Sequence, residues 1–169
     1  IIDACAQAAN GEVVSAVNFN SPGQVVIAGH KAAVERAGEL CKTAGAKRVL
    51  PLPVSVPSHC ALMKDAAEKL AEAFKDITFN APTLPVVNNV DVAIENSAEA
   101  IKTALIKQLY SPVRWTETIQ YLAEQGIEQA IEAGPGKVLQ GLLKRIDKRV
   151  NCQAVNDDAS LTKALASVE

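Results

Sequence analysis

The order of the predicted elements near the start of the chain is the feature that most constrains its fold. Hydrophobic spacing and β-branched runs predict five elements here: a helix (residues 1–9), a strand (12–19), a strand (24–28), a helix (31–44) and an extended segment (48–54). A ferredoxin-like fold has the order βαββαβ. The observed order is that pattern without its first strand. We therefore predict an α/β architecture that opens with an incomplete ferredoxin-like subdomain.

Local signals support this reading of residues 1–54. The turn sequence Asn20-Ser21-Pro22-Gly23 joins the two strands as a hairpin, since Asn and Gly tolerate positive φ and Pro presets the bend. Pro51 and Pro53 confine the extended segment to a sheet edge or a strand end. Ile1 stands inside the first predicted helix, so we expect the chain to be a piece of a longer protein.

After residue 57 helices alternate with short strands. The predicted helices cover residues 63–74, 97–109, 115–124, 137–148 and 160–168, and the predicted strands cover residues 84–87, 127–132 and 152–155. This alternation is typical of an α/β layer with a largely parallel sheet. We therefore predict a small subdomain over residues 1–56 and part of a larger α/β subdomain over residues 57–169.

Composition excludes several classes of protein. The net charge is −2 and aromatic residues make up 4%, which argues against a nucleic-acid binder that relies on bulk charge or base stacking. No apolar run is long enough for a membrane span, and no secretion signal opens the sequence. The cysteines lie far apart and predict reduced thiols in a cytoplasm, with neither a metal site nor a disulfide framework. They are Cys5, Cys41, Cys60 and Cys152.

His59 is the strongest candidate for chemistry. It lies where an extended segment passes into a helix, and an imidazole there can act as a general base at neutral pH. A local packing or capping role explains it about equally well. The other histidine, His30, follows a strand and opens a helix, which favours a turn or cap role. No G-x-S-x-G nucleophile motif occurs in the sequence, so the base has no convincing partner.

Three weaker candidates each have an ordinary structural explanation. Gly134-Pro135-Gly136 between a strand and a helix could bind an anion, although tight packing of the turn explains it better. Lys47 and Arg48 form a small basic cluster that is usually solvated surface. Asn18 gives the hairpin a polar edge that turn chemistry explains less well than it explains Asn20.

Three sequence runs together resemble one enzyme family. They are VNFNSPGQVVIAGH (residues 17–30), LPVSVPSHCALM (52–63) and IEAGPGKVLQGL (131–142). In this order and spacing they resemble bacterial malonyl-CoA:acyl carrier protein transacylases over essentially the whole chain. The resemblance implies a hydrolase-like α/β acyltransferase domain with an inserted ferredoxin-like subdomain, of which this chain would be the C-terminal portion.

The resemblance also implies roles for individual residues. His59 would be the general acid and base, oriented by the backbone carbonyl of Gln108. Lys47 and Arg48 would meet coenzyme A phosphates or an acidic carrier protein, and Ser58 fits a malonyl-type pattern; Asn18 joins them as a substrate-binding candidate. The implied partners are malonyl-CoA and acyl carrier protein. No cofactor is implied, because the coenzyme A thioester is a substrate.

The departures from the family pattern concern residues that would precede Ile1. They are the GHSxG serine, the GQGSQ oxyanion segment and the arginine that pairs with the malonyl carboxylate. We therefore expect the chain alone to be inactive. Two alternatives stay open: a non-catalytic carrier-protein-binding module, and an acyltransferase domain of a polyketide synthase. Against the second, the predicted last helix ends at Val168 like a finished C-terminus.

Overall fold

The computed structural model describes residues 1–167, which form a mixed α/β structure. The helices are α1 (Ile2–Ala8), α2 (Lys31–Thr43), α3 (Lys64–Ala73), α4 (Ala98–Gln108), α5 (Trp115–Glu124), α6 (Val138–Ile146) and α7 (Asp158–Leu165). The strands are β1 (Val14–Ser21), β2 (Gln24–Gly29), β3 (Val87–Asn88), β4 (Ala93–Ile94), β5 (Gln129–Ala133) and β6 (Asn151–Val155). Short 3₁₀ turns, Ala61–Met63 and Phe74–Asp76, flank α3.

The chain divides into two units. The first contains Ile1–Phe19 and Gln24–Arg114, and the second contains Asn20–Gly23 with the residues from Trp115 onward. Each unit has its own small apolar core. These units do not correspond to the two predicted subdomains, residues 1–56 and 57–169. That boundary stays a prediction.

The core of the first unit is built from small side chains where α1 packs on α2. Its fully or nearly fully buried members are Cys5, Ala8, Val14, Ala33 and Ala37. Alanine and cysteine at these positions let the two helices approach closely, because their side chains add little volume. Burial also raises the pKa of the Cys5 thiol, with a further contribution from Cys41. A buried, protonated thiol is a packing group, so the structure gives Cys5 a structural role.

Backbone contacts join the two chain ends of the β1–β2 hairpin on the side opposite its turn. Gly29 lies so close to β1 that a Cβ atom there would stand 2.0 Å from the carbonyl oxygen of Val13. Only glycine permits that approach. Next to it, the backbone N–H of His30 donates to Val13 O at 2.8 Å, and the N–H of Val13 donates to Nδ1 of His30 at 2.9 Å. His30 therefore has the turn role that its sequence position favoured.

The second unit contains one parallel pair of strands. β5 and β6 pair in register from Gln129 opposite Asn151 to Ala133 opposite Val155. Helices α5 and α6 supply Ile119, Ala123 and Leu143 to the core beside this pair. Because parallel strands need a crossover connection, α6 lies between β5 and β6 in sequence and contacts β6.

The structure corrects three predictions about the sheet. Residues 48–54 form no strand, and the strand predicted over residues 84–87 is reduced to Val87–Asn88. The sheet is not largely parallel: within residues 1–167 the strands make three two-stranded sheets, of which the β5–β6 pair is parallel and the β3–β4 pair antiparallel. A strand requires a neighbour to pair with, and residues 48–54 have none among the described residues.

The predicted helices are found with small shifts of their ends. The last one was expected over residues 160–168 but begins at Asp158 and ends at Leu165, because Asp157 provides the N-cap. Val168 lies outside the described residues.

No helix within residues 1–167 is both long enough and apolar enough to cross a membrane.

Acid should weaken the start of α7. Oδ1 of Asp157 accepts from the N–H of Ser160 at 2.7 Å and from its hydroxyl at 2.6 Å. These hydrogen bonds hold the pKa of Asp157 below its ordinary value of 3.8. The stabilisation is therefore complete above pH 3.8 and is lost as the pH falls through the folded-state pKa. We expect the Ser160 amide NMR shift to follow this titration.

Asp157→Asn is the matched control, since asparagine also caps helices but does not titrate. In that variant the Ser160 amide shift should be nearly constant over the same pH range. An equal pH response in both proteins would show that another group controls this helix end.

Candidate active site

His59 has an unusual backbone conformation. Its φ is +65°, in the left-handed region that non-glycine residues rarely occupy. Such a conformation costs on the order of 1–3 kcal/mol and persists only where surrounding contacts hold it. Strained residues of this kind cluster at functional sites, so the backbone itself marks His59 as a position of interest.

Two hydrogen bonds hold His59 against the C-terminal end of α4. Its backbone N–H donates to the carbonyl oxygen of Leu109 at 3.0 Å, and its Nδ1 lies 2.8 Å from the carbonyl oxygen of Gln108. The last carbonyls of a helix have no partner within the helix. His59 therefore satisfies two acceptors of α4, and the helix end in turn fixes both the backbone and the ring of His59.

The contact with Gln108 determines which ring nitrogen is available for chemistry. A carbonyl oxygen can only accept a hydrogen bond, so Nδ1 must carry the hydrogen. In the neutral ring Nε2 then has the lone pair and is the atom that can accept a proton. The arrangement is that of a general base whose second nitrogen is oriented by a fixed acceptor.

The end of α4 is itself fastened at several points. Lys107 pairs with Asp91, and the side-chain amide of Gln108 donates to the carbonyl oxygen of Ser111 at 3.1 Å. Val113 bridges to β1, donating to Val17 O at 2.8 Å and accepting from Phe19 N–H at 2.9 Å. The Gln108 carbonyl is thus held by contacts on both sides of the helix end, all within the first unit.

The remaining predicted site residues lie apart from this contact. Asn18 is half-buried in β1 and lies opposite Val113 in the bridge that follows α4. Ser58 is exposed beside His59, while Lys47 and Arg48 are exposed after α2. Within residues 1–167, no hydrogen bond or ion pair joins His59 to any of these four. Their predicted roles in substrate binding stay predictions.

The candidate anion site at Gly134-Pro135-Gly136 is filled by the chain itself. The carboxylate of Glu132 accepts from the backbone N–H groups of Leu139 at 3.0 Å and Gln140 at 2.8 Å. These are the free amides of the first turn of α6, the groups that an external anion would use. A side chain of this chain therefore occupies the amides that an external anion would use. The tight packing of the turn that the sequence favoured is not seen, because a Cβ at Gly134 or Gly136 would meet no atom within 4 Å.

The cysteines offer no nucleophile. Cys60, next to His59, is buried and donates to the carbonyl oxygen of Pro57 at 3.2 Å. Burial raises the pKa of the Cys152 thiol, which keeps it protonated and unreactive. No group of three or more His, Cys, Asp or Glu side chains in residues 1–167 is placed to hold a metal ion.

A family model described as acyl transferase domain matches residues 2–162. The chain belongs to the acyl transferase domain family. The acyl transferase family and the mixed α/β fold, both predicted from the sequence, are confirmed. The finer description, a ferredoxin-like subdomain lacking one strand, stays a prediction.

The relatives of this chain share one name. The malonyl CoA-acyl carrier protein transacylase of Escherichia coli (strain K12) is 64% identical over 165 residues, which cover 98% of this chain and 53% of that protein. The protein of that name from Haemophilus influenzae (strain ATCC 51907 / DSM 11121 / KW20 / Rd) is 65% identical over 160 residues, or 95% of this chain and 51% of that protein. The chain thus spans about half the length of these curated relatives.

Solved structures of similar sequence have the same fold as this chain. A malonyl-transacylase in complex with a type II PKS acyl-carrier protein is 64% identical, with a TM-score of 0.97, covering 98% of this chain and 54% of that chain. An acyl carrier protein S-malonyltransferase from Vibrio cholerae O1 biovar eltor str. N16961 is 66% identical, with a TM-score of 0.95 and coverage of 96% and 53%. The resemblance to bacterial malonyl-CoA:acyl carrier protein transacylases is confirmed.

Sequence reasoning missed two groups that build the site. It did not anticipate the Leu109 carbonyl as an acceptor for the His59 backbone, nor the ion pair between Lys107 and Asp91. The hydrogen bond to Leu109 depends on the positive φ of His59, and no residue type near His59 predicts that conformation. The second joins residues from a hairpin turn and a helix end, and this pairing appears only once the chain is folded.

The tautomer of His59 can be tested in this chain. We expect the neutral ring to carry its hydrogen on Nδ1, because the Gln108 carbonyl accepts it. Two-bond ¹H–¹⁵N NMR spectra of the imidazole distinguish the two tautomers. Gln108→Ala should leave the tautomer unchanged, since alanine keeps the backbone carbonyl. A ring with its hydrogen on Nε2 in the unmodified chain would contradict the assignment.

Removing the carboxylate of Glu132 should destabilise the second unit. We expect Glu132→Ala to lower the free energy of unfolding by about 1–2 kcal/mol, because two amides of α6 lose their charged acceptor. Glu132→Gln should cost less, since one oxygen remains to accept. Urea unfolding measures both effects. Glu128→Ala, an exposed neighbour, is the control, and an equal loss in that variant would refute the capping role.

Proposed function

We propose that the complete protein transfers malonyl groups from coenzyme A to the phosphopantetheine thiol of acyl carrier protein in fatty acid biosynthesis. The observation that supports this most directly is the contact between His59 Nδ1 and the Gln108 carbonyl oxygen at 2.8 Å. It leaves Nε2 able to accept a proton, which a serine acyltransferase requires of its base. The names of the relatives support malonyl-CoA and acyl carrier protein as substrates.

The proposed reaction has two half-reactions with one base. In the first, Nε2 of His59 takes the proton of a serine hydroxyl as the serine oxygen attacks the malonyl thioester carbonyl. The carbon–sulfur bond then breaks, and the imidazolium returns the proton to the leaving coenzyme A sulfur. In the second, His59 takes the proton of the phosphopantetheine thiol, whose sulfur attacks the serine ester. The serine oxygen leaves and recovers its proton. No G-x-S-x-G motif that would carry this serine occurs in the chain.

The Gln108 carbonyl takes the position that an aspartate occupies in a Ser-His-Asp triad. A neutral acceptor fixes the tautomer and the ring orientation as an aspartate does. It does so through the backbone, so the side chain at position 108 is free to serve another purpose. That purpose is the hydrogen bond from its amide to the Ser111 carbonyl, which supports the turn that follows α4.

Substrate contacts are proposed at four further residues. Lys47 and Arg48 are exposed cations suited to coenzyme A phosphates or to an acidic carrier protein, where opposite charge mainly speeds the encounter. Ser58 and Asn18 supply polar groups beside His59 and in β1, respectively.

No cofactor is needed, because the thioester brings its own leaving group. We place the reaction in the cytoplasm, where the four free cysteines would stay reduced.

The proposed architecture has two parts. Residues 1–56 would form a ferredoxin-like small subdomain without its first strand, and residues 57–169 would form the C-terminal part of a hydrolase-like α/β acyltransferase subdomain. The order α1, β1, β2, α2 supports the first part. The parallel β5–β6 pair with α6 as its crossover supports the second.

Two alternatives were open from the sequence. A non-catalytic carrier-protein-binding module is less well supported, because the relatives carry transferase names and His59 is held as a base. A polyketide context receives some support from the similar malonyl-transacylase solved with a type II PKS acyl-carrier protein. That context changes the carrier protein that accepts the malonyl group and leaves the chemistry as proposed.

Loss of His59 should abolish transfer in a complete enzyme. We expect His59→Ala, in this chain joined to the missing part, to slow malonyl transfer by about three or more orders of magnitude, as for removal of a triad base. Circular dichroism checks that the fold remains. His30→Gln is the control, because His30 contacts Val13 and no proposed reacting group. A loss of only a few fold at His59 would remove it from the mechanism.

The chain alone should not transfer malonyl groups. It carries the proposed base but no nucleophile motif, and a base without its nucleophile has little to activate. Incubation with malonyl-CoA and holo acyl carrier protein, followed by mass spectrometry of the carrier, measures transfer directly. Turnover close to that of a full-length relative would contradict this expectation.

A further inference from the structure

The short β3–β4 hairpin is organised by the side chain of Asn88. Each strand has only two residues, and the strands pair antiparallel on either side of a loop of residues 89–92, the hairpin loop. Oδ1 of Asn88 accepts from the N–H of Asp91 at 2.8 Å, and its Nδ2 donates to the carbonyl oxygen of Ala93 at 2.9 Å. An asparagine that bonds to nearby backbone in this way stabilises a turn. Because so short a hairpin has few ladder bonds, these two bonds contribute much of its shape.

Two further observations indicate that the hairpin loop is held in one conformation. Val90 is only 4% exposed although it lies in a loop. Val92 has a φ of +55°, in a region that β-branched residues rarely occupy. Among residues 1–167, the other non-glycine residues with positive φ are Asn10 and His59. Such conformations persist only where surrounding contacts hold them, so the hairpin loop presents its polar groups in a fixed arrangement.

The hairpin loop contacts the chain on both sides of the groups that hold His59. The carboxylate of Asp91 pairs with Nζ of Lys107, in the last turn of α4. The carbonyl oxygen of Asn89 accepts from the backbone N–H of Arg114 at 3.1 Å. The two carbonyl groups that accept from His59 lie between these two contacts in the chain. The hairpin loop therefore supports the whole segment that orients the ring.

The ion pair between Asp91 and Lys107 acts where a small contribution has a local effect. The two side chains are 37% and 44% exposed, and an ion pair of this exposure adds little to the stability of a whole protein. The end of a helix, however, opens more readily than its interior. At the end of α4 the carbonyl of Gln108 also has to hold His59 in an unfavourable backbone conformation. The ion pair therefore affects the orientation of His59 more than the stability of the fold.

We propose that Asp91 is a positioning residue for His59. From the hairpin loop its carboxylate holds Lys107, and with it the end of α4, so that the Gln108 carbonyl stays directed at Nδ1 of the ring. Asp91 acts through Lys107, since no hydrogen bond or ion pair joins it to the ring within residues 1–167. The catalytic meaning of this role rests on the proposed function, in which His59 is the base. The orientation of the ring is measurable without activity.

The first test removes the carboxylate in the ¹⁵N-labelled chain. NMR then gives two readouts: hydrogen exchange of the His59 backbone N–H, and the tautomer of the His59 ring. We expect Asp91→Ala to speed this exchange about threefold or more and to make the tautomer with hydrogen on Nε2 detectable. Glu39→Ala is the matched control, because it removes an exposed ion pair with Lys42 on α2 of the same unit. No change in Asp91→Ala, or an equal change in Glu39→Ala, overturns the proposal.

A double-variant comparison shows whether Asp91 acts through Lys107. We expect Lys107→Gln to change both readouts about as much as Asp91→Ala does, and the double variant to change them no further. Additive changes mean that Asp91 reaches His59 by another route, and they overturn the proposal.

Urea unfolding of each variant separates positioning from general stability. We expect the unfolding midpoints to stay close to that of the unsubstituted chain, because the ion pair is exposed. A loss of global stability large enough to account for the faster exchange at His59 overturns the positioning role.

A malonyl transfer assay on a complete enzyme that contains this chain distinguishes this inference from the proposed function. We expect Asp91→Ala to lower kcat about threefold or more and to leave the KM for malonyl-CoA unchanged, since the substituted group binds no substrate. An unchanged kcat overturns the positioning role and leaves the proposed function standing. If the unsubstituted enzyme transfers no malonyl group while the NMR result holds, the proposed function fails and the positioning of His59 by Asp91 stands.

Discussion

The contact between His59 and the end of α4 is the interaction on which the candidate site depends. Helix α4 ends with carbonyl groups that have no partner inside the helix, and His59 satisfies two of them, through its backbone at 3.0 Å and its ring at 2.8 Å. The same two bonds hold the residue at a φ of +65°. The same contact thus satisfies the end of the helix and orients the ring that we propose as the base.

The surroundings explain why this contact is firm. Lys107 pairs with Asp91 just before the carbonyl of Gln108, and Val113 bonds to β1 just after it. These bonds lie within one unit of the structure and involve only residues of this chain. The contacts that orient the His59 ring are therefore all made by residues of this chain.

Sequence and structure agree where local signals or motifs are strong. The helices and the β1–β2 hairpin were predicted from periodicity and turn residues, and His59 and Gln108 were paired through the family resemblance. The strand expected over residues 48–54 is absent, because strand formation depends on a neighbour and no local pattern supplies one. The sequence analysis also missed the contact between the Glu132 carboxylate and the first turn of α6. Its partners lie seven and eight residues away, beyond the spacing of local capping motifs.

The account is tested most directly by locating the hydrogen between His59 and Gln108. Neutron diffraction from a deuterated crystal of the chain, at a pH where the ring is neutral, shows deuterium atoms individually. The account predicts a deuterium on Nδ1 that points at the Gln108 carbonyl oxygen, and none on Nε2. A deuterium on Nε2, or a ring turned away from Gln108, would contradict the assignment of His59 as an oriented general base.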